Sequence, residues 1–461
     1  MSTEGRDGLW VPARRGLTVG LVLTVTFIAS EALAVVTVMP LVARDLHGLA
    51  LYGWVFSSFM LASLVGIVVA GRDADRHGPA RPYITGLVLF TVGLLVAGTA
   101  RSMAVLVVGR VLQGLGAGAV PAVAYVAIGR SLPASMQARM MAVLSTAWVV
   151  PGIVGPGLAA EVAHLFSWRW VFLGVVPLVA LAGPLALPAL VRLGRPEAAA
   201  EAEHRVWDGI RTAAGAALFL GALNASNVLA GIGLAASGLL IGVASLRRLL
   251  PPGTLSARRG LAATIVSRGL LTFAYFGTDA YVTLTVATVR HHSTVMAGAV
   301  VTVSTLAWTV GSWIQARLNN HWEGRRLVRL GLGCILLGTL GLIWQLHQGV
   351  PVAEAFVAWM VGSFGMGLAY APISLMTLRA APAGREGWAS ASLNLADVLG
   401  VALGVGFGGA AVAIATRDAG AVTTGVAVAF GTAALAGAVA LCISPRLPGT
   451  LDRTPADVLS R

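Results

Sequence analysis

Charge is what this chain has least of. Of its 461 residues only 11% are charged and 57% are hydrophobic, whereas soluble domains carry about 25% charged residues. Mean hydropathy is +0.83. A soluble fold of this composition has too little polar surface to cover itself. That sets aside a soluble enzyme, a disordered chain and a secreted disulfide scaffold. Lysine is missing altogether: all 32 basic residues are Arg, against 19 acidic ones, a net charge of +13. Such a balance suits a nucleic-acid binder only if the basic residues share a polar face, and this chain has little polar face, so no nucleic-acid partner is expected. The two cysteines, Cys334 and Cys442, stand in apolar runs. They are too few for a disulfide framework or a metal cluster, and neither a metal nor a cofactor is expected.

Long apolar runs are abundant. A membrane span needs about 20 apolar residues. Runs of that kind cover 16–40, 52–71, 83–100, 103–128, 140–163 and 170–191. A polar stretch over 192–208 leads into two weaker runs, 210–226 and 228–246, and six more follow: 261–287, 296–316, 328–346, 352–378, 388–415 and 420–443. The pattern predicts an all-α polytopic membrane protein of fourteen spans. The first run is too long for a cleavable signal peptide and has no small-residue cleavage site.

Arginine placement tests the weak pair, which Asn224 and Asn227 interrupt. With the N-terminus inside and fourteen spans, 25 Arg fall in inner loops and five (Arg44, Arg101, Arg169, Arg290 and Arg417) in outer ones. Cationic loops stay cytoplasmic. After residue 246 the split is 13 inside to two outside, and a single crossing over 210–246 would invert it. The segment therefore crosses an even number of times, as two short spans or as a re-entrant hairpin. Both termini are expected in the cytoplasm of a cell whose inner (plasma) membrane holds the chain.

The chain also repeats itself. The string from Phe27 through Glu31 to Thr37 matches that from Tyr275 through Asp279 to Thr285, at an offset of 248. Gly116 and Gly118 match Gly365 and Gly367, and Leu144 and Gly155 match Leu393 and Gly404, all at 249. A constant offset across three span pairs implies two six-span halves in the same orientation. The division is an N-terminal half over 1–191, linker segments with two additional spans over 192–260, a C-terminal half over 261–443 and a cytoplasmic tail over 444–461. Repeated halves place a substrate site near the midplane.

Three strings carry a family resemblance. After the second span comes Gly71-Arg-Asp73-Ala-Asp75-Arg76-His-Gly78-Pro-Ala-Arg81; the fourth holds Gly109-Arg110-Val-Leu-Gln113-Gly114-Leu-Gly116; the fifth holds Pro151-Gly152-Ile-Val-Gly155-Pro156-Gly157. These resemble the loop 2–3 motif, the span-4 motif and the antiporter motif of the major facilitator superfamily, and within it the fourteen-span drug:proton antiporters. Glu31, nine residues before Pro40, resembles that family's acidic residue in span 1. The resemblance implies a major facilitator fold of two six-helix halves plus two central spans. It also implies proton-coupled export of small hydrophobic or cationic compounds by alternating access, driven by the proton gradient without a cofactor. There are departures. Pro79 and Ala80 replace two basic residues of the loop motif, Ala159 and Ala160 stand for the second glycine pair of the antiporter motif in span 5, and the span-1 acid is Glu rather than Asp.

Physical reasoning stands beside the resemblance. Asp75 and Arg76 are placed where span 2 meets the cytosol; there a carboxylate can face a helix N-terminus and an Arg from the other half and latch the inner side, with Gly71, Gly78 and Arg81 completing the gate. The alternative is a solvated loop. Pro151, Gly152, Gly155, Pro156 and Gly157 allow close helix approach and bending, with plain packing as the alternative. Ionisable residues inside spans are costly and mark transport pathways. Glu31 lies roughly 13 Å from the outer end of its span and Arg110 roughly 10 Å, at 1.5 Å per residue, so the two are level and able to pair. Asp279 is Glu31's partner by repeat. Arg268 and Asp397 lie about 10–14 Å from the inner end, a second possible pair.

Burial favours a neutral carboxyl and a nearby Arg favours the charged form, so a site that exchanges Arg for substrate can bind and release a proton. Glu31, Asp279 and Asp397 are the proton-coupling candidates, with Arg110, Arg268 and Gln113 as their coupling or substrate partners. The alternative is static ion pairs that fix packing. Trp308, Trp313, Phe273, Tyr275, Tyr281 and Tyr370 are candidates for an aromatic surface that receives organic cations.

The preferred reading is a monomeric transporter of small molecules in the lipid bilayer. Rival readings are export of an endogenous metabolite, peptide or lipid, and substrate:proton symport. An intramembrane enzyme is disfavoured, because the chain has no HExxH or GxSxG string and its histidines sit at or beside loops. A sensor is disfavoured because no soluble domain is present to relay a signal.

Overall fold

A computed structural model describes residues 10–132, 136, 140, 143–144, 146–147, 149–194, 203–225, 227–318, 322–382, 385–417 and 421–448. Fourteen helices run through them. They are α1 (Pro12–Asp45), α2 (Tyr52–His77), α3 (Ala80–Gly98), α4 (Met103–Ser131), α5 (Val149–Leu165), α6 (Arg169–Arg192), α7 (Glu203–Leu223), α8 (Val228–Leu249), α9 (Leu261–Val289), α10 (Thr294–Leu318), α11 (Gly324–Trp344), α12 (Ala353–Arg379), α13 (Glu386–Arg417) and α14 (Val422–Ile443). No strand occurs among the described residues.

Local chemistry sets the helix ends. Pro12 opens α1, where its missing N–H costs nothing. Gly78, at φ 86°, stops α2 and turns the chain into α3 within two residues. The Ser102 side chain caps α4. Asn227 Oδ1 accepts the N–H groups of Leu229 (2.9 Å) and Ala230 (3.2 Å), so the asparagine that interrupts the hydropathy pattern is the N-cap of α8.

Twelve of the helices are long and apolar enough to cross a membrane. The two others are α5 and α7. α5 has 17 described residues, because part of the expected run over 140–163 lies outside the described residues. α7 opens on Glu203, Arg205, Asp208 and Arg211, too polar a first half to count as a span by composition. The chain is thus a multi-pass helical membrane protein, and the expected number of fourteen spans exceeds the twelve that meet this measure.

The chain forms two compact units, Met1–Phe219 with Gly233–Gly242, and Leu220–Ile232 with Val243–Arg461. Their internal packing corresponds helix for helix. In the first unit α4 packs on α2 and α3, and α1 on α5 and α6. In the second α12 packs on α10 and α11, and α9 on α13 and α14. The glycines of the repeat show why. A Cβ on Gly118 would stand 2.9 Å from the backbone N of Ile67 in α2, and one on Gly367 would stand 2.7 Å from that of Ser312 in α10. Gly116 meets α3, where a Cβ would be 2.8 Å from Phe90 Cβ, and Gly365 meets α11, 3.0 Å from Ile335 N. Only a missing side chain lets the helix backbones approach this closely. The outward faces are apolar: Leu181 of α6 and Leu229 and Leu240 of α8 are all exposed, as lipid-facing residues are.

Candidate functional site

Within the first unit the buried charge sits on α1 and α4. Arg110 and Gln113, three residues apart, project from one face of α4. Arg110 donates through Nη1 to Glu31 Oε1 and to Gln113 Oε1 (2.8 Å), and through Nε to the carbonyl of Val55 (3.1 Å). Gln113 Nε2 also donates to Glu31 Oε1 (3.2 Å). The Phe59 ring covers the guanidinium at 4.2 Å. Glu31 and Gln113 are wholly buried and Arg110 is 2% exposed. Glu31 Oε2 has no hydrogen-bond partner among the described residues. The cluster is an ion pair held by four further polar and aromatic contacts in the apolar interior of a helical unit.

The second unit carries two clusters. In the first, Asp279 Oδ1 accepts the indole N–H of Trp359 at 2.8 Å. Tyr275, one turn before Asp279, stacks on Trp359 (5.0 Å, 18° between planes), meets Trp308 edge-on (5.3 Å) and shares a hydrogen bond with Ser363 (2.9 Å). The internal offset explains this arrangement. Trp359 stands 249 residues after Arg110, Trp308 stands 249 after Phe59, and Asp279 stands 248 after Glu31. The repeat therefore places acid, partner and ring alike in both units, but an indole replaces the guanidinium.

The second cluster joins Arg268 of α9 to α12 and α13. Its Nη2 donates to the Tyr370 carbonyl (3.0 Å) and to the Ser374 hydroxyl, and its guanidinium lies over the Tyr370 ring at 3.5 Å. Asp397 Oδ1 is 3.7 Å from Arg268 Nε, an ionic but not a hydrogen-bonding distance, while Asp397 Oδ2 accepts from the Tyr370 hydroxyl at 3.1 Å. Arg268 is 1% exposed, yet its Nε and Nη1, like Asp397 Oδ1, have no hydrogen-bond partner among the described residues. Tyr370, Ser374 and Asp397 are partly open, so the guanidinium is buried with an accessible edge beside it.

The remaining sequence candidates fall elsewhere. At the end of α2, Asp73 rather than Asp75 makes the described ionic contacts: His77 Nδ1 at 2.8 Å and Arg81 Nε at 3.5 Å. Arg76 and His77 are exposed, Asp75 is partly so, and a Cβ on Gly71 would meet nothing within 4 Å. Pro151, Gly152, Gly155, Pro156 and Gly157 lie along α5, where added Cβ atoms on Gly155 and Gly157 also meet nothing within 4 Å. Among the aromatic candidates, Tyr275, Trp308 and Tyr370 join one cluster, with Trp308 and Tyr370 6.0 Å apart. Phe273 instead meets Phe407, the Tyr281 hydroxyl bonds the Val405 carbonyl, and Trp313 is exposed.

Six participants were not singled out from the sequence: Trp359, Phe59, Ser363, Ser374, the Val55 carbonyl and Asp73. Carrying the offset of 249 from Arg110 and Phe59 would have reached Trp359 and Trp308. No sequence signal marks a backbone carbonyl.

The comparisons with known proteins agree in kind. The sequence profile described as Major Facilitator Superfamily matches residues 17–405. A probable multidrug-efflux transporter of Mycobacterium tuberculosis is 27% identical, over 95% of this chain and 97% of its own length. Multidrug resistance protein 3 of Bacillus subtilis is 23% identical, over 84% of this chain and 78% of its own. Among solved structures, an auto-inhibited peptide transporter of the POT family superposes with a TM-score of 0.70 at 16% identity, covering 95% of this chain and 98% of that one. That identity speaks for the fold alone.

Proposed function

The chain belongs to the major facilitator superfamily, a family of transporters rather than enzymes, and from that premise we propose that it exports small hydrophobic or cationic compounds in exchange for protons. The reading is a monomeric fourteen-span drug:proton antiporter of an inner (plasma) membrane, with both termini cytoplasmic. It works by alternating access and draws on the proton gradient without a cofactor. The observation that carries it is a set of three carboxylates, Glu31, Asp279 and Asp397, deep among apolar helices and each facing a partner whose hold changes with the carboxylate's charge. Relatives of nearly the same length are named multidrug-efflux transporters, and α7 and α8 supply the two additional helices of the fourteen-span type.

The chemistry follows from the pairs. A carboxylate that loses its partner to an arriving cation changes its proton affinity, which links substrate occupancy to proton occupancy. The partly exposed rings of Trp308 and Tyr370, 6.0 Å apart, offer faces on which a lipophilic cation can rest.

The test is expression in an efflux-deficient bacterium challenged with a compound panel, followed by uptake of tetraphenylphosphonium into everted vesicles under a pH gradient of either sign. Raised tolerance and accumulation only with the interior acidic support the reading. Accumulation indifferent to the gradient, or favoured by its reverse, refutes the antiport.

One observation favours a second reading, export or proton symport of an endogenous metabolite. The Nε and Nη1 edge of Arg268, which has no hydrogen-bond partner among the described residues although Asp397 stands 3.7 Å from Nε, is suited to a carboxylate or phosphate on the substrate.

A further inference from the structure

We propose that the two repeat-related carboxylates divide the work: Asp279, held by the neutral indole of Trp359, takes up and releases the coupling proton, while Glu31, held by Arg110, remains charged and positions α1 against α4. The proposal rests on the proton-coupled reading above and narrows it from three acids to one.

Stranded charge separates the two acids. Glu31 and Arg110 are both buried, and Arg110 has no other carboxylate among its described partners, only the Gln113 and Val55 oxygens and the Phe59 ring. Protonation of Glu31, at whichever oxygen, leaves a full guanidinium charge in the apolar interior with nothing of opposite sign beside it. Removing one partner of a buried pair is strongly unfavourable for that reason. Gln113 Nε2 adds a second donor that is best satisfied by the ionised form.

Asp279 differs in each respect. Its described donor is one uncharged N–H at 2.8 Å. When Asp279 gains a proton, that N–H still has a carboxyl oxygen to bond, and no cation is stranded. When Asp279 loses the proton, the indole is a donor for the anion and the stacked Tyr275 ring keeps the indole in place. Both protonation states are thus accommodated by the same side chains.

Among the described residues of the helices that pack on α9, no charged side chain competes with Asp279. On the helices that pack round α9 (α10 to α14), the charged residues other than Asp397 stand at or within about two turns of a helix end. Arg268 and Asp397 belong to the cluster about 16 Å further along α9, eleven residues from Asp279 at 1.5 Å each. Arg290 bonds the carbonyl of His347 at the other end. The uncharged titratable groups on these helices are Tyr275, Tyr281 and Tyr370, bonded to Ser363, Val405 and Asp397, and Cys334 and Cys442.

Trp359 is accordingly a positioning residue. In the position that holds Arg110 in the first unit, it supplies a hydrogen bond without a charge. The same fold position thus makes one acid a permanent ion and the other a proton carrier.

The experiment is pH-difference infrared spectroscopy of the full-length protein in lipid, following the C=O stretch of protonated carboxyls between about pH 5 and about pH 9, above the range of solvated Asp and Glu. It needs no substrate. A titrating carboxyl band is expected in the wild type. The band is lost in Asp279→Asn and kept in Glu31→Gln. Trp359→Phe, which removes the N–H but keeps a ring, moves its midpoint. Trp359→Arg abolishes it by recreating the Arg110 arrangement.

Absence of the band from the wild type, its survival in Asp279→Asn, its loss in Glu31→Gln, or a midpoint unmoved by Trp359→Phe overturns the proposal. A band that behaves as expected in a protein whose tetraphenylphosphonium uptake ignores the pH gradient refutes proton-driven export alone, so the two failures are distinguishable.

Discussion

Removal of Arg110 alone is the perturbation with the most predictable cost. Arg110→Met preserves length and apolar bulk but withdraws three hydrogen bonds at once: to Glu31 Oε1, Gln113 Oε1 and the Val55 carbonyl. The surroundings are 0–2% exposed, so water cannot replace those donors without a cavity to hold it. Breaking a buried ion pair from one side costs about 3–5 kcal/mol. Removing both partners with apolar or isosteric replacements is often close to neutral. Glu31→Gln with Arg110→Met is therefore expected to recover most of the loss, leaving a coupling energy above about 2 kcal/mol. The assay is equilibrium unfolding in mixed detergent micelles, followed by tryptophan fluorescence, as a double-mutant cycle over the two positions. A cost below about 1 kcal/mol for Arg110→Met, or a double variant as unstable as the single one, would show that the pair is solvated and would refute the stranded-charge reasoning.

Other consequences are simpler. Gly116→Val is expected to abolish the monodisperse peak in fluorescence-detected size exclusion, because even a Cβ there stands 2.5 Å from Phe90 N. Gly155→Ala is expected to leave that peak intact, since no described residue lies within 4 Å of the added atom; loss of transport in a well-folded Gly155→Ala would then report on motion of α5, and loss of the peak would contradict that expectation. Asn227→Ala removes the cap of α8 and is expected to cost about 1 kcal/mol in the same unfolding assay. Arg81→Ala breaks a pair with Asp73 whose arginine side chain is 62% exposed, so a stability change above about 1 kcal/mol would be contrary to expectation.

Much of the architecture was readable along the chain. The start of nearly every expected run lies within a few residues of a helix start, because an apolar run bounded by Gly, Pro, Asn or charge is a local property. The repeat was readable too, through Gly116, Gly118, Gly365 and Gly367, because close helix contact demands glycine at the same places in both units. The level of Glu31 and Arg110 followed from helical rise, and the structure brings the two together. Asp73 shows the limit. It lies in the last turn and a half of α2, and the rotation of that helix together with the Gly78–Pro79 turn brings it to Arg81, a pair that the string itself does not mark.

The sequence by itself determined that this is a multi-pass helical membrane protein, where most of its helices start to within a few residues, and which few ionisable side chains are committed to its interior. Those conclusions rest on hydropathy and period, which need no knowledge of neighbours. The tertiary structure alone decided who meets whom: Arg110 on Glu31, Trp359 on Asp279, Arg268 opposite Asp397 with no hydrogen-bond partner at its Nε and Nη1 among the described residues. Partner choice depends on how each helix is rotated and how closely its backbone approaches the next. Those are distances between residues some 80 to 130 positions apart in the chain, and no local pattern encodes them.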